Sequence, residues 1–186
     1  MLPMKPLTAH FLVASPQLGD PNFLRTVVLL IQHTDQGALG VVLNRPTSKT
    51  VKELWDEVGE APCESEGPVY LGGPVPGPIM SLHTNQFFGE LEVVPGVFFA
   101  AKKGNLDSLV LHKDDPLRIF LGHAGWGPGQ LENELKEGAW QTMPAKIEHI
   151  FYDGTDLWEA VRREIAGSAL QSILKIKHVP EDPSMN

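Results

Sequence analysis

The chain has 186 residues and a formal net charge of −8, from 23 acidic side chains against 15 Lys and Arg. This length suits one domain and allows a substantial core without disulfides. Nucleic-acid-binding proteins carry a basic face that neutralises phosphates, and here basic residues adjoin only in the pairs 102–103 and 162–163. Direct binding to nucleic acid is therefore not expected.

The sequence also indicates the cellular compartment in which the protein is expected. Cys63 is the single cysteine, which excludes an internal disulfide and fits a reducing environment. The first residues lack the basic head and long apolar stretch of a secretion signal, and the most apolar run, 27–31, is far too short to cross a bilayer. We expect a soluble, cytoplasmic protein without membrane contact.

The predicted strands are short and numerous. Apolar or β-branched runs bounded by turn residues predict them. They cover residues 9–14, 26–32, 38–44, 69–71, 79–83, 91–94, 97–101, 117–121 and 147–152. The second and third of these runs are joined by a turn at 34–37 and form a predicted hairpin.

Fewer segments show helical periodicity. They cover residues 51–58, 106–110, the segment after Gly129, 156–165 and 169–174. Thr50 and Glu53 form a capping box before the first helix, where Gly59 is expected at the end. Gly167 is expected to end the helix that begins at 156. The tail 179–186, with its two prolines, is expected to be frayed.

Strands outnumber helices and do not alternate regularly with them, which argues against a doubly wound sheet. The prediction is one α+β domain over residues 1–186, with its core at about 7–176. Its sheet is expected to be mixed or antiparallel, with a small barrel-like portion, and to be flanked by helices.

The segment from Gly122 to Gly129 is the most informative loop. A strand that leads through glycines into a helix N-terminus is a geometry that binds anions. However, Gln130 stands where a dinucleotide fingerprint needs glycine, no P-loop lysine follows, and Pro128 lacks an N–H donor. A tight turn packed by Trp126 is therefore favoured over a ligand cradle.

Arg45, in the run Asn44-Arg45-Pro46, follows a predicted strand. An arginine at the end of a strand can bind the carboxylate or phosphate of a ligand, because its planar fork of N–H donors matches those groups. The alternative is a salt bridge to a neighbouring carboxylate of the chain. We favour the salt bridge.

No pattern of catalytic or metal-ligating residues is present. The seven histidines show no pair at ligand spacing, so neither a metal nor a cofactor is predicted. Ser81 shares a strand face with His83, but nothing in the sequence orients that histidine. There is no Gly-x-Ser-x-Gly elbow. His83 and His123 each follow an apolar strand, and ordinary surface or hydrogen-bonded histidines are favoured over a shared site.

Several runs together resemble the bacterial YqgE/AlgH family, over about residues 7–165. These runs are Ser15–Phe23, Thr26–Leu30, Gly37–Pro46, Gly72–Val75 and Gly122–Glu132, followed by Trp140 and Phe151. The resemblance implies a complex α+β fold with a small barrel-like sheet in a cytosolic bacterial protein. It supplies neither a mechanism nor catalytic residues. Some members are labelled transcriptional regulators, a role that the acidic charge and the lack of a helix-turn-helix pattern do not support.

Three hypotheses about function follow. The first is a non-enzymatic binding or regulatory module for a protein partner or a small ligand, acting through the loops 72–78 and 122–129. Its candidate residues are Arg45, His83, His123, Gly125, Trp126, Gly127, Gly129 and Gln130. The second is an enzyme that brings His83, His123, Arg45 and Ser15 into one site. The third is a transcriptional regulator.

Overall fold

The computed structural model describes residues 5–112 and 114–177. The strands are β1 (His10–Ala14), β2 (Val27–Thr34), β3 (Gly37–Val42), β4 (Pro46–Thr50), β5 (Pro68–Leu71), β6 (Met80–His83), β7 (Leu91–Val94), β8 (Val97–Ala100), β9 (Leu117–Leu121), β10 (Ala124–Trp126) and β11 (Trp140–Pro144). The helices are α1 (Val51–Val58), α2 (Lys103–Leu109), α3 (Gln130–Lys136), α4 (Ile147–Ile150) and α5 (Leu157–Lys177), with a 3₁₀ turn at Gln86–Phe88. The tail 179–186, predicted to be frayed, lies outside the described residues.

The strands form two sheets. One has the order β10-β3-β2-β1-β11 and is antiparallel throughout. The other has the order β4-β5-β9-β6-β8-β7 and is mixed, because β5 and β9 run parallel. The α+β class is confirmed. Among the described strands no closed barrel forms, because each sheet ends in two edge strands.

Two apolar cores result from the alternation of side chains along the strands. On β9, Phe120 joins a large cluster that also contains Leu30 of the other sheet, so this core holds the two sheets together. Its neighbour Ile119 points to the opposite face and joins a smaller cluster with Trp55 of α1 and Leu106 of α2. Sheet and helices therefore pack in layers.

The helix α1 begins as the sequence predicts. Thr50 Oγ1 accepts the backbone N–H of Glu53 at 3.1 Å, and Glu53 Oε2 accepts that of Thr50 at 2.8 Å. Gly59 is the C-terminal cap and donates its N–H to the carbonyl of Trp55 at 2.8 Å. The capping box satisfies two N–H groups that the helix itself leaves unpaired.

Replacing Thr50 with alanine is expected to lower the free energy of unfolding by about 1 kcal/mol, because one of these N–H groups loses its acceptor. The midpoint of thermal unfolding should fall by about 2–4 °C. Ser48→Ala, at an exposed position of β4, is the control and should change little. Equal midpoints for the two variants would show that the capping box contributes nothing measurable.

Two predicted elements are wrong. The run 147–152, expected to be a strand, contains the short helix α4, which buries Ile150. Gly167 does not end a helix, and α5 continues unbroken through it to Lys177, so the separate helix predicted at 169–174 is part of α5. Three strands were not predicted at all, namely β4, β10 and β11.

The long helix α5 has two different halves. Leu157, Trp158 and Val161 are buried and fix the first half to the larger core. Every residue over 166–175 is exposed. Within the ranges given above, no helix combines the length and apolar character needed to cross a membrane.

Candidate functional site

The two glycine-rich loops, 72–78 and 122–129, pack against each other. Val75 and His123 exchange backbone hydrogen bonds of 3.0 and 2.9 Å. Side chains are excluded at this contact, since a Cβ on Gly72 would lie 2.4 Å from the carbonyl oxygen of Gly122. Gly72, Gly73 and Gly122 are therefore required by the close approach of two backbones.

Several backbone groups of the loop 122–129 are paired within the chain. Gly125 lies in β10 opposite Leu39 of β3. The N–H of Gly127 is donated to Gln130 Oε1 at 3.1 Å, and the N–H of Gln130 to the Gly127 carbonyl at 3.1 Å. Gly129, with φ of 74°, caps α3, a helix of seven residues. This geometry is that of a tight turn.

Trp126 packs this turn onto the core. Its side chain is buried and stacks on Phe23 at 6.1 Å between ring centroids. Its Nε1–H is donated to Glu134 Oε2 at 2.9 Å, and Trp140 donates its Nε1–H to the same oxygen at 2.8 Å. These contacts agree with the prediction that Trp126 packs a tight turn rather than lining a ligand cradle.

His83 and His123 lie at opposite ends of β9. His83 pairs with Leu117 at its start, whereas His123 follows its last residue, Leu121. His83 is fully buried and neither of its ring nitrogens has a hydrogen-bond partner within the described residues, so the expectation of a surface or hydrogen-bonded histidine is wrong there. Burial is the largest cause that lowers the pKa of its ring. The two histidines cannot share a site. In the described part of the chain, no group of three or more His, Cys, Asp or Glu side chains could hold a metal ion.

Arg45 instead lines a cleft of about 340 Å³. We call it the arginine cleft, because Arg25 is also in its wall. The cleft is lined by Leu24, Arg25, Leu43, Asn44, Arg45, Pro46, Tyr70, Tyr152, Gly154, Thr155, Asp156 and Leu157. It thus brings together the turn before β2, the segment between β3 and β4, and the segment that leads into α5.

Asn44 and Arg45 hold the turn before β2 in place. Arg25 has a φ of 54°, a left-handed conformation that is uncommon for a residue with a side chain. Asn44 Nδ2 donates to the Arg25 carbonyl at 2.9 Å, and Asn44 Oδ1 accepts the N–H of Val27 at 3.0 Å. Arg45 donates to the carbonyl of Leu24. The run Asn44-Arg45 therefore sets the position of Arg25.

Arg25 connects the cleft to α5. Its Nη2 lies 2.7 Å from Asp156 Oδ2, and its guanidinium carbon lies 4.2 Å from the centroid of the Trp158 ring. The side chains of Arg25 and Asp156 are 52% and 44% exposed, respectively. An ion pair this exposed is worth about 0–1 kcal/mol, so a competing anion can replace it at little cost.

Arg45 forms no ion pair with any carboxylate that the structure describes. The predicted salt bridge is therefore wrong within those residues. A guanidinium has five N–H donors, and the bond to Leu24 uses one of them. Arg45 thus retains donors for a bound group.

Arg118 contacts Tyr70 and Tyr152, two residues that line the arginine cleft. It contacts the hydroxyl of Tyr70, donates to the carbonyl of Tyr152 at 3.0 Å, and lies 2.7 Å from Asp153 Oδ1. These contacts fix the segment that leads into α5.

The sequence singled out Arg45 but missed Arg25, Asn44 and Asp156. Arg25 lies in a turn with no distinctive pattern, and Asp156 is 131 residues away along the chain. The run Asn44-Arg45-Pro46 was the one available signal, since a polar pair directly after a buried strand is placed at a sheet edge.

Comparisons with known proteins agree with this architecture. A family model described as AlgH-like matches residues 11–170. A UPF0301 protein of Myxococcus xanthus is 40% identical over 165 residues, covering 86% of this chain and 91% of the relative. Another, of Chlorobaculum tepidum, is 37% identical over 185 residues, covering 94% and 93%.

Two solved structures are also similar. The solution structure of the AlgH protein of Pseudomonas aeruginosa has a TM-score of 0.69 and 32% identity, covering 94% of this chain and 97% of that one. The crystal structure of protein DIP2367 from Corynebacterium diphtheriae has a TM-score of 0.69 and 23% identity, covering 88% and 90%, and supports the fold alone.

Proposed function

This chain belongs to the AlgH-like family, and on that premise we propose that it is a regulatory binding module that captures a small anionic ligand in the arginine cleft. The observation that carries the proposal is the position of Arg45. Its guanidinium lines the cleft beside Arg25 and is not neutralised by a described carboxylate. Planar guanidinium forks bind carboxylate and phosphate groups well.

The size and walls of the cleft support the same proposal. Its volume of about 340 Å³ lies at the lower end of the range typical of small-molecule sites, about 300–1,000 Å³. Leu24, Leu43 and Leu157 offer apolar contact to the body of a ligand, while the arginines face its charged group. A few polar groups in a partly apolar wall are the usual composition of such sites.

Binding is favoured over catalysis because of the groups that line the cleft. They include arginines, tyrosines, Thr155 and Asp156, which can hold and orient a ligand. No histidine or cysteine is among the lining residues, so a serine or cysteine nucleophile with a histidine base is not assembled there. We therefore assign the cleft no reaction.

The proposal can be tested by thermal unfolding of the full chain in acetate, succinate, inorganic phosphate and duplex DNA. A ligand at 100 times its dissociation constant adds about 2.7 kcal/mol, which raises the midpoint by several degrees at this size. We expect stabilisation by at least one anion and none by DNA. Stabilisation by DNA that disappears steeply with salt would favour the transcriptional role instead.

Arg45→Gln and Arg25→Gln should each weaken anion binding by about tenfold, since a charge-assisted hydrogen bond contributes about 1.5–3 kcal/mol. At position 45, glutamine retains an N–H donor for the carbonyl of Leu24. Arg163→Gln is the matched control, because that side chain is 79% exposed on α5 and does not line the cleft. Equal binding by all three variants, measured by calorimetry, would place the site elsewhere.

A further inference from the structure

The cleft already contains a carboxylate. Asp156 lines the cleft together with Arg25 and Arg45, and its Oδ2 is bound by Arg25 at 2.7 Å. One of the two guanidiniums, that of Arg25, is therefore already paired with a carboxylate of the protein itself. The other guanidinium, that of Arg45, has no such occupant among the described residues.

Asp156 can leave Arg25 without releasing the helix behind it. Its second oxygen, Oδ1, accepts the backbone N–H of Glu159 at 2.9 Å, and its carbonyl accepts that of Ala160 at 3.1 Å. These two bonds cap the start of α5. The bond to Arg25 is separate from them and is exposed, so a ligand can replace it while the cap stays in place.

We infer that the carboxylate of Asp156 occupies the position that one carboxylate of the ligand takes on Arg25, and that the ligand is a small dicarboxylic acid. One carboxylate replaces that of Asp156 on Arg25, and the other binds Arg45. This inference rests on the proposed function. A ligand with two planar charged ends matches two guanidiniums in one cleft, because each fork can bind one carboxylate through two parallel hydrogen bonds.

The apolar residues of the cleft give this ligand its expected shape. Leu24 and Leu43 also line the cleft and are apolar, so the part of the ligand that joins its two carboxylates should be a short apolar chain. The best chain length reports the separation of the two guanidiniums. The affinities of a homologous series of dicarboxylates therefore measure this separation.

The experiment is calorimetry of the full chain with malonate, succinate, glutarate and adipate, and with acetate and inorganic phosphate as comparisons. One dicarboxylate should bind at least about tenfold more tightly than acetate, because its second carboxylate adds a second charge-assisted contact. Arg45→Gln should reduce this advantage to nearly nothing.

Asp156→Asn gives the sharpest readout, because it should tighten binding. Asparagine keeps the cap on Glu159 but no longer competes for Arg25. The affinity for the best dicarboxylate should rise about two- to fivefold, as expected from the loss of an exposed ion pair. Asp153→Asn removes the same charge nearby, on a side chain that pairs with Arg118 and does not line the cleft, and should change little.

The outcomes separate this inference from the proposed function. Unchanged or weaker binding by Asp156→Asn, or an equal gain in Asp153→Asn, would overturn the role of Asp156. If phosphate binds more tightly than every dicarboxylate and still depends on Arg45, the ligand class is wrong while the anion site stands. If no anion binds, both the inference and the proposed function fail.

Discussion

Replacing Gly122 with alanine is expected to lower the free energy of unfolding by about 3 kcal/mol or more. Gly122 has a φ of +72°, and a side chain in this left-handed region costs about 1–2 kcal/mol. The added Cβ would also lie 2.5 Å from the backbone carbonyl oxygen of Gly73, which cannot move without disturbing the contact between the two glycine loops. Urea and thermal unfolding would measure the loss.

Gly127→Ala is the matched control in the same loop. A Cβ at this position meets nothing within 4 Å, and the N–H that binds Gln130 is kept. We expect a change within about 0.5 kcal/mol. If both substitutions were harmless, the close packing of the loops would be wrong. If both substitutions were severe, the loss of stability would follow from replacing any glycine of this loop and not from the contact at Gly122.

Glu134→Ala is the second substitution with a large expected effect. Its Oε2 accepts the indole N–H groups of Trp126 and Trp140, both buried. Each buried N–H left without a partner costs about 1–3 kcal/mol, so the variant should lose about 3 kcal/mol and unfold at a clearly lower temperature. Tryptophan fluorescence should change as well, because the environment of two of the four tryptophans changes.

Glu137→Ala provides the comparison for this variant. Glu137 follows α3 directly and is exposed. Its removal should leave the unfolding midpoint nearly unchanged. A Glu134 variant as stable as the Glu137 variant would mean that the two indoles find other acceptors, and that Glu134 does not fix the turn 122–129 to the core.

Elements with complete local signals were predicted well from the sequence. The hairpin of β2 and β3 was predicted from a turn between a β-branched run and its return strand, and α1 from its capping box and apolar spacing. Both signals depend on residues that are close in the chain, so they can be recognised from the sequence alone. The strand β11 had no comparable signal, because it is defined by pairing with β1, where Trp140 lies opposite Ala14.

The wrong predictions have physical reasons. The apolar, aromatic run 147–152 resembles a strand, but a single helical turn also buries Ile150, and short apolar runs do not distinguish the two. Gly167 was expected to stop a helix, since glycine costs about 1 kcal/mol in a helix interior. The residues after it, from Ser168 to Lys175, include good helix formers that carry α5 onward.

The candidate site was partly predictable for the same reasons. Arg45 was singled out because it directly follows a buried strand. Arg25 and Asp156 were missed, because the cleft forms where three distant segments meet and no local pattern marks the meeting point. The glycine loop attracted attention by composition, but Gly122 is explained by its close contact with the Gly73 backbone, and Gly129 by its left-handed conformation at the start of α3.

The most direct measurement is an amide chemical-shift titration of the full chain with succinate and with inorganic phosphate. Binding in the arginine cleft predicts the largest shifts at Arg25, Asn44 and Arg45 and over 154–157. The loops 72–78 and 122–129 should change little. Shifts concentrated in those two loops, with the amides around the cleft unchanged, would show that the glycine-rich surface binds the anion and that the arginine cleft does not.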